Sequence, residues 1–491
     1  MGRAGDELRT FARRRRAELS VAALIFFSCA YFFQGGGWNQ NAHYATTVAL
    51  VETGSIHLDA YQKSTGDLSR SGDHVVSAKA VITALTAVPG YLVARGLTLP
   101  VDNRGDAVIL RAYLTTLLSA GLALTLLGVV LVVMLRRRLG ERDAAFVALG
   151  ICLATPLFPN STMLTSHPQA LLAATCAYWI AEGPRLQRPA VAPSTRTLLL
   201  AGVAVGATLA FEYMLAVIAV PLGLYLMWQC RRRLRIAWFC LGASLVALIP
   251  IVHHTWAYGH PLRTGYGALT HGRFAADAAR GWMGFDGLSI ARLYELTFGD
   301  IRGFFFLSPF LLAAVPGLIR MLRARRTRPE GLVTGAIAWG VLLLVSALAY
   351  WHSGSAVGSR YALCFVAFCA VPIAAIFPYH RIWIGIGAAV GYAFMVMATS
   401  VTAIPPTPGR LPYENVIRWL WTRFSVGNLA SWQQPILIET GVGTGDPTLP
   451  FAFNLGQLAG LNGLISVVPY LVLMAVGGLW MARNLGRRTI A

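Results

Sequence analysis

A chain of 491 residues that is 56% hydrophobic and only 13% charged, with a mean hydropathy of +0.58, carries more apolar surface than a soluble domain can hide. Its net charge of +20 suggests nucleic-acid affinity, but the basic residues fall in short clusters between apolar runs. That is the loop bias of membrane insertion, with some attraction to anionic lipid, and it argues against a nucleic-acid partner.

The apolar runs are about 15–25 residues long, too long and too evenly apolar for barrel strands, so an all-α polytopic membrane protein is predicted. The first run, 19–33, follows Arg13–Arg16 and resembles a signal peptide. No small-residue cleavage site precedes Gln34–Gly37, so an uncleaved first helix is expected. In the polar loop 34–79, the stretch NQNAHYATTVALVETG (39–54) spaces Tyr44, Val48 and Val51 helically, which predicts a helix lying along the interface. Further runs lie near 80–98, 109–135, 144–158, 165–182, 197–210, 214–229, 236–255, 303–322, 331–349, 360–377, 380–402 and 464–482. The last polar segment contains TAIPPTPGRLPYENVIRWLWTRF, broken by prolines and then amphipathic, an interfacial pattern.

The expected architecture is one transmembrane domain over 1–482, a bundle of about 11–13 helices, with a basic cytoplasmic tail at 483–491. Clusters at Arg13–Arg16, Arg136–Arg138, Arg231–Arg235, Arg323–Arg326 and Arg483–Arg488 place both termini in the cytoplasm and 34–79, 256–302 and 403–463 outside, at a bacterial inner membrane. One conflict stands. Passing from outside at 79 to inside at 136 needs an odd number of crossings, yet two runs lie between. Either 80–98 is re-entrant, 109–135 is split, or the charge rule fails locally. The seven cysteines lie in or beside apolar runs without metal-ligand spacing, so neither a disulfide framework nor a zinc site is indicated by them.

Chemistry should sit at the external face, where the long loops gather. The first loop holds Glu52, Asp59, Asp67 and Asp73 with His43, His57, His74, Lys63, Arg70 and Lys79. A carboxylate at a lipid-facing site can take a proton from a hydroxyl, and a boundary lysine can hold a lipid phosphate. The competing reading is a hydrated loop with Lys79 snorkelling at a helix end. His43 and His74 could be bases, metal ligands or solvated loop histidines. Glu212, between apolar runs, requires a partner or a cavity. Arg263 with Tyr266 in GHPLRTGYG, Arg302 in FGDIRGFFFLSP, and Arg360 with Tyr361 in GSAVGSRYAL put arginines at external helix mouths, suited to a phosphate or to head-group anchoring.

The stretches GGGWNQNAHYATTVALVETGSIHLDAY, STGDLSRSGDHVVSAKAV, GHPLRTGYG, DIRGFFFLSP, GSAVGSRY and NLGQLAGLNGLISVVP, spread from about 35 to 470, together resemble the bacterial type-C (GT-C) membrane glycosyltransferases. These are distantly similar to protein O-mannosyltransferases and the lipid A aminoarabinose transferase. The resemblance implies a polyprenyl-phosphate sugar donor, an acceptor that is protein, lipid or polysaccharide, and a catalytic carboxylate in the first external loop. No cofactor is required by it, and a divalent metal is compatible with it. Carried onto this chain, the base would be Asp59 or Asp67, with His43 as a further candidate. Lys79, Arg263, Arg302 and Arg360 would bind the donor phosphate, and Asn39, Asn41, His74, Glu212, Tyr266 and Tyr361 the substrates. Relatives read acid–Lys–Pro/Ala–Pro where this chain has Ala78-Lys79-Ala80-Val81, and an acidic pair where it has Asn39–Asn41. A catalytically silent glycan-binding or scaffolding relative is therefore the alternative. A transporter or flippase is the second, although no inverted repeat of broken helices is visible.

Overall fold

The computed structural model describes residues 15–187, 192–406, 415–431, 433–436 and 447–486. Among these, twelve helical segments run between the two ends of a bundle. They are Arg16–Tyr31, Arg104–Leu135, 141–161, His167–Gln187, Thr195–Phe211, Tyr213–Gln229, Arg233–Tyr258, 304–323, Arg328–Ser346, the two arms of a stretch over 360–401, and Gly463–Asn484. Five helices among the described residues are both long and apolar enough to cross a membrane on length and composition alone. The remaining segments are shorter or less apolar. The Ala370–Val401 helix bends at His380, where the two predicted runs meet.

The basic clusters assemble at one end, and the bundle answers them with buried acids. Glu18 accepts from Arg15 at 3.1 Å and from Arg136 at 2.5 Å, while Glu182 pairs with Arg138. Glu330 lies 3.3 Å from Arg185, and Asp143 lies 2.6 Å from Arg381. Carboxylates inside a membrane bundle persist only with such partners. Arg142 N–H donates to Gly486 O at 3.3 Å, so the chain's last described residues join the end where the first helix starts. Arg13, Arg14 and the tail beyond Gly486 lie outside the described residues.

The crossing conflict resolves through one helix. Arg104–Leu135 is unbroken over 32 residues, about 48 Å at 1.5 Å per residue, well beyond the roughly 30 Å hydrocarbon layer. Its first turns stand clear at the loop-rich end, where Asp106 accepts from the backbone of Thr448 and Leu449, each at 2.8 Å. A π-turn at Leu117–Gly121 interrupts it without splitting it. The preceding helix, Val81–Leu97, starts beside Lys79 and ends at Thr98, whose hydroxyl accepts from Arg111 at 2.7 Å. Both its ends stay at the loop-rich end. Of the three alternatives for the odd run among the thirteen, this arrangement matches the first: Val81–Leu97 enters and leaves at the same end of the bundle.

Val81–Leu97 lies beside Trp38–Glu52. Thr47 donates to Ala84 O at 3.2 Å, and Glu52 takes Tyr91 at 2.9 Å and Arg95 at 3.2 Å. The helix expected over 39–54 is therefore present, but not as a half-wet interfacial helix. Asn39 through Ala49 are all buried, because Val81–Leu97 and the loops around it roof it over. The predicted amphipathic segment after 415 forms the Val416–Phe424 helix, capped by Asn415, which accepts from the N–H groups of Ile417 and Arg418.

Candidate active site

A β-hairpin in the first loop builds one wall. Leu68–Ser71 pairs antiparallel with His74–Ser77, from Leu68 opposite Ser77 to Ser71 opposite His74. The two-residue turn places Gly72 at a positive φ of 62°, which glycine adopts without penalty. At the open foot, Ala78 N–H donates to Asp67 O at 2.9 Å. Across that foot, Lys79 Nζ meets Asp67 Oδ1 at 3.2 Å. The first strand docks on the 265–270 loop: Ser69 donates to Gly265 O at 2.7 Å, and Thr270 N–H to Leu68 O at 3.0 Å. This brings Lys79 Nζ 5.9 Å from the centre of the Tyr266 ring. The approach is close enough that a Cβ on residue 265 would stand 2.8 Å from Ala78 Cα, so glycine is required there.

The facing wall is the 350–361 loop. Ser353 holds a positive φ of 54°, and its hydroxyl accepts from Arg360 N–H at 2.7 Å. The Arg360 guanidinium donates to Ser353 O from Nη2 at 2.6 Å and from Nε at 3.2 Å, which leaves further donors for a ligand. Arg302, 0% exposed, lies beneath this loop and donates to Gly354 O at 2.7 Å and Gly358 O at 3.4 Å. Arg302→Met is expected to cost about 2–3 kcal/mol, the scale of losing charged-donor hydrogen bonds to buried carbonyls. A fall of that size in the unfolding free energy, with greater protease sensitivity near 350–360, checks it.

Between the walls lies a cavity of about 1030 Å³. Its polar end gathers Asp67, Lys79, Arg360, Tyr266 and Tyr361, with Asn39 and Asn41 beside them. Its flank is apolar, formed by Met214, Val217, Val220, Leu344 and Leu348, and Val220 is 63% exposed on the bundle's outer surface. Burial disfavours the Lys79 ammonium, but Asp67, Tyr266 and Tyr361 together outweigh this and hold its pKa above the usual lysine range. His352, also lining the cavity, is pushed down to about 4 by burial and by Arg302, Arg273 and Arg360.

The predicted site residues separate into three groups. Asn39, Asn41, Asp67, Lys79, Tyr266, Arg360 and Tyr361 line the cavity together. His43 and Glu212 lie just behind it. His43 is 2% exposed with Nε2 unpartnered, and burial, Lys79 and Arg360 drive its pKa down to about 3. Glu212 takes a hydrogen bond from Ser166 and lies 3.3 Å from His167.

The remaining four are displaced from the cavity. Asp59 and His74 pair with each other at 3.0 Å on the exposed surface, because His74 is at the hairpin's turn end while Asp67 and Lys79 are at its foot. Arg263 is exposed and is not among the cavity-lining residues. Arg302 is an internal strut. Tyr213, Arg273, Tyr350 and His352 also line the cavity, and no sequence signal marks them. Two of them flank quoted motifs, and only the tertiary pairing brings them in.

No protein-family profile matches the chain, and no curated protein sequence matches it either. The solved structures are more informative. ArnT of Cupriavidus metallidurans bound to undecaprenyl phosphate superposes with a TM-score of 0.52 at 15% identity, over 95% of this chain and 75% of that one. The chain has the GT-C fold. The apo form of the same ArnT gives 0.49 at 16% identity, over 94% and 73%. The Archaeoglobus fulgidus oligosaccharyltransferase AglB, in complex with an inhibitory peptide and a dolichol-phosphate, gives 0.46 at 11%, over 88% and 61%. In this GT-C bundle the first loop packs over the bundle end, and its hairpin foot meets the helix mouths there.

Proposed function

We propose that the chain is an integral-membrane glycosyltransferase that moves a sugar from a polyprenyl-phosphate donor to an acceptor at the external face. The observation that carries this reading is the cavity itself. Lys79, Arg360 and Asp67 converge at one end, and an apolar flank reaches the bundle surface at the other. A phosphate with an isoprenoid tail matches that polarity: the cations take the phosphate, and the tail lies along Met214, Val217 and Val220. The ArnT structure of the same fold carries undecaprenyl phosphate, a ligand of that chemistry.

The step we infer is displacement at the sugar's anomeric carbon. The acceptor oxygen forms the new bond, the bond from that carbon to the phosphate oxygen breaks, and polyprenyl phosphate leaves with its electron pair. Lys79 and Arg360 stabilise the charge growing on the phosphate. Asp67 takes the acceptor proton. Asp67 is held by Lys79 at 3.2 Å. A bound phosphate would compete for that ammonium and release the carboxylate for the acceptor. Position 78 is alanine, and Asp67 reaches Lys79 across the hairpin foot instead, which favours an active enzyme over a silent relative.

The test is transfer by the detergent-purified chain from a polyprenyl-phosphate sugar, with lipid extracts and envelope polysaccharide offered as acceptors. Sugar transfer with release of polyprenyl phosphate is the expected result. Stoichiometric binding of the donor without turnover, under conditions in which ArnT is active, would move the assignment to a glycan-binding relative.

A further inference from the structure

Two of the four displaced site residues, Asp59 and His74, meet a third. His57, Asp59 and His74 each offer a ligand atom, and these atoms lie within 4.8 Å of one another. The His57 and His74 rings stack in parallel at 4.0 Å, and His74 Nδ1 lies 3.0 Å from Asp59 Oδ2. Three pieces of the first loop are involved: the segment after Trp38–Glu52, the short turn Asp59–Tyr61, and the strand His74–Ser77. We propose that these three side chains form a binding site for a borderline transition-metal ion, zinc foremost, with water completing the coordination.

The ligand chemistry selects the ion. Two imidazoles and one carboxylate suit Zn²⁺ and its neighbours Co²⁺, Ni²⁺ and Cu²⁺, whereas Mg²⁺ and Ca²⁺ require mostly oxygen donors. Tetrahedral zinc at about 2.0–2.1 Å places its ligand atoms about 3.4 Å apart. The His74–Asp59 separation of 3.0 Å needs only a small opening to reach this, and the His57 donor atom lies within 4.8 Å of the other two. The supporting shell is in place. Asp59 Oδ1 accepts from Val75 N–H at 3.2 Å, so its Oδ2 can face the metal while Oδ1 stays anchored. Leu58 N–H donates to Val75 O at 2.7 Å, which already holds the 57–59 segment against the second strand. A metal here would staple that segment to the hairpin whose other end presents Asp67 and Lys79. The strands separate the two ends by about 13 Å, four residues at 3.3 Å each, so the site is distinct from the cavity.

The experiment uses tag-free full-length protein in detergent, stripped with chelator and titrated with ZnCl₂ or MgCl₂, with metal content measured by mass spectrometry and affinity by calorimetry. One zinc per chain is expected, with no matching magnesium uptake. His57→Ala/His74→Ala should abolish binding, and Asp59→Asn should weaken it about 10–100-fold, the range for perturbed metal shells. Zinc should also slow backbone hydrogen exchange across 57–77 in the native chain but not in the double variant. All three side chains are at least partly exposed, so these variants should fold, and a native thermal profile checks that. Zinc uptake unchanged in the double variant would overturn the proposal. So would failure of the native chain to bind zinc, or equal preference for magnesium.

Discussion

Lys79→Ala is expected to lower kcat/KM for sugar transfer by about 10²–10³-fold, the cost of removing one preorganised group from the charge developing on a leaving group. The same substitution has a structural consequence that must be separated from this one. Asp67 is only 6% exposed, and the ammonium 3.2 Å away is its charged partner. Deleting one half of a buried pair leaves the other uncompensated, at about 3–5 kcal/mol when burial is complete. The value here should fall at the lower end, because the pair borders a cavity and Lys79 keeps some exposure. Lys79→Ala/Asp67→Asn separates the two effects through polyprenyl-phosphate binding, which needs no base: stability should recover towards native while binding stays lost. Retention of the full catalytic rate by Lys79→Ala would falsify the donor-phosphate assignment. Recovery of polyprenyl-phosphate binding in the double variant would show that the single variant had failed only by losing structure.

The sequence showed the membrane class, the helix count to within one, and most of the polar end of the cavity. The reason is physical. Apolar runs and basic clusters are local signals, and Lys79, Arg360 and Tyr361 are visible because each stands where polar loop turns into apolar helix. What the sequence could not give is what depends on pairing. Asp59 and Asp67 are equivalent as loop acids until the register Leu68–Ser77 to Ser71–His74 sends one to the foot and leaves the other with His74. Arg302 and Arg360 both open helices, yet one is enclosed under a loop and the other faces the cavity. In sequence the buried acids Glu18, Glu182 and Glu330 each look like an ordinary helix charge; only the fold brings Arg136, Arg138 and Arg185 alongside. Ala78 reads as a missing acid in sequence. In the fold, it is the point where the backbone passes Gly265.

Acidification should expose His43 as a liability of the same site. This ring is 2% exposed, and both Lys79 and Arg360 oppose a positive charge on it, so its folded pKa falls to about 3 against an ordinary 6.5. The unfolded chain therefore binds a proton between those values that the folded chain refuses. Stability contributed by the neutral ring is complete above pH 6.5 and is lost progressively as pH falls towards 3. The slope is about 1.4 kcal/mol per pH unit, or about 4–5 kcal/mol across the window. His352, with its own folded pKa near 4, adds a parallel slope that ends earlier. The SDS unfolding midpoint in mixed micelles, followed from pH 7 to pH 4, should fall throughout for the native chain. His43→Gln keeps a neutral polar group and should flatten that dependence by one proton's worth while leaving the His352 contribution. An unchanged slope in His43→Gln would mean that the ring accepts its proton in the folded state. Phosphate binding then follows the same sign: a donor phosphate between Lys79 and Arg360 shields His43 from both cations, so a non-transferable polyprenyl phosphate should restore part of the acid stability in the native chain and less in His43→Gln.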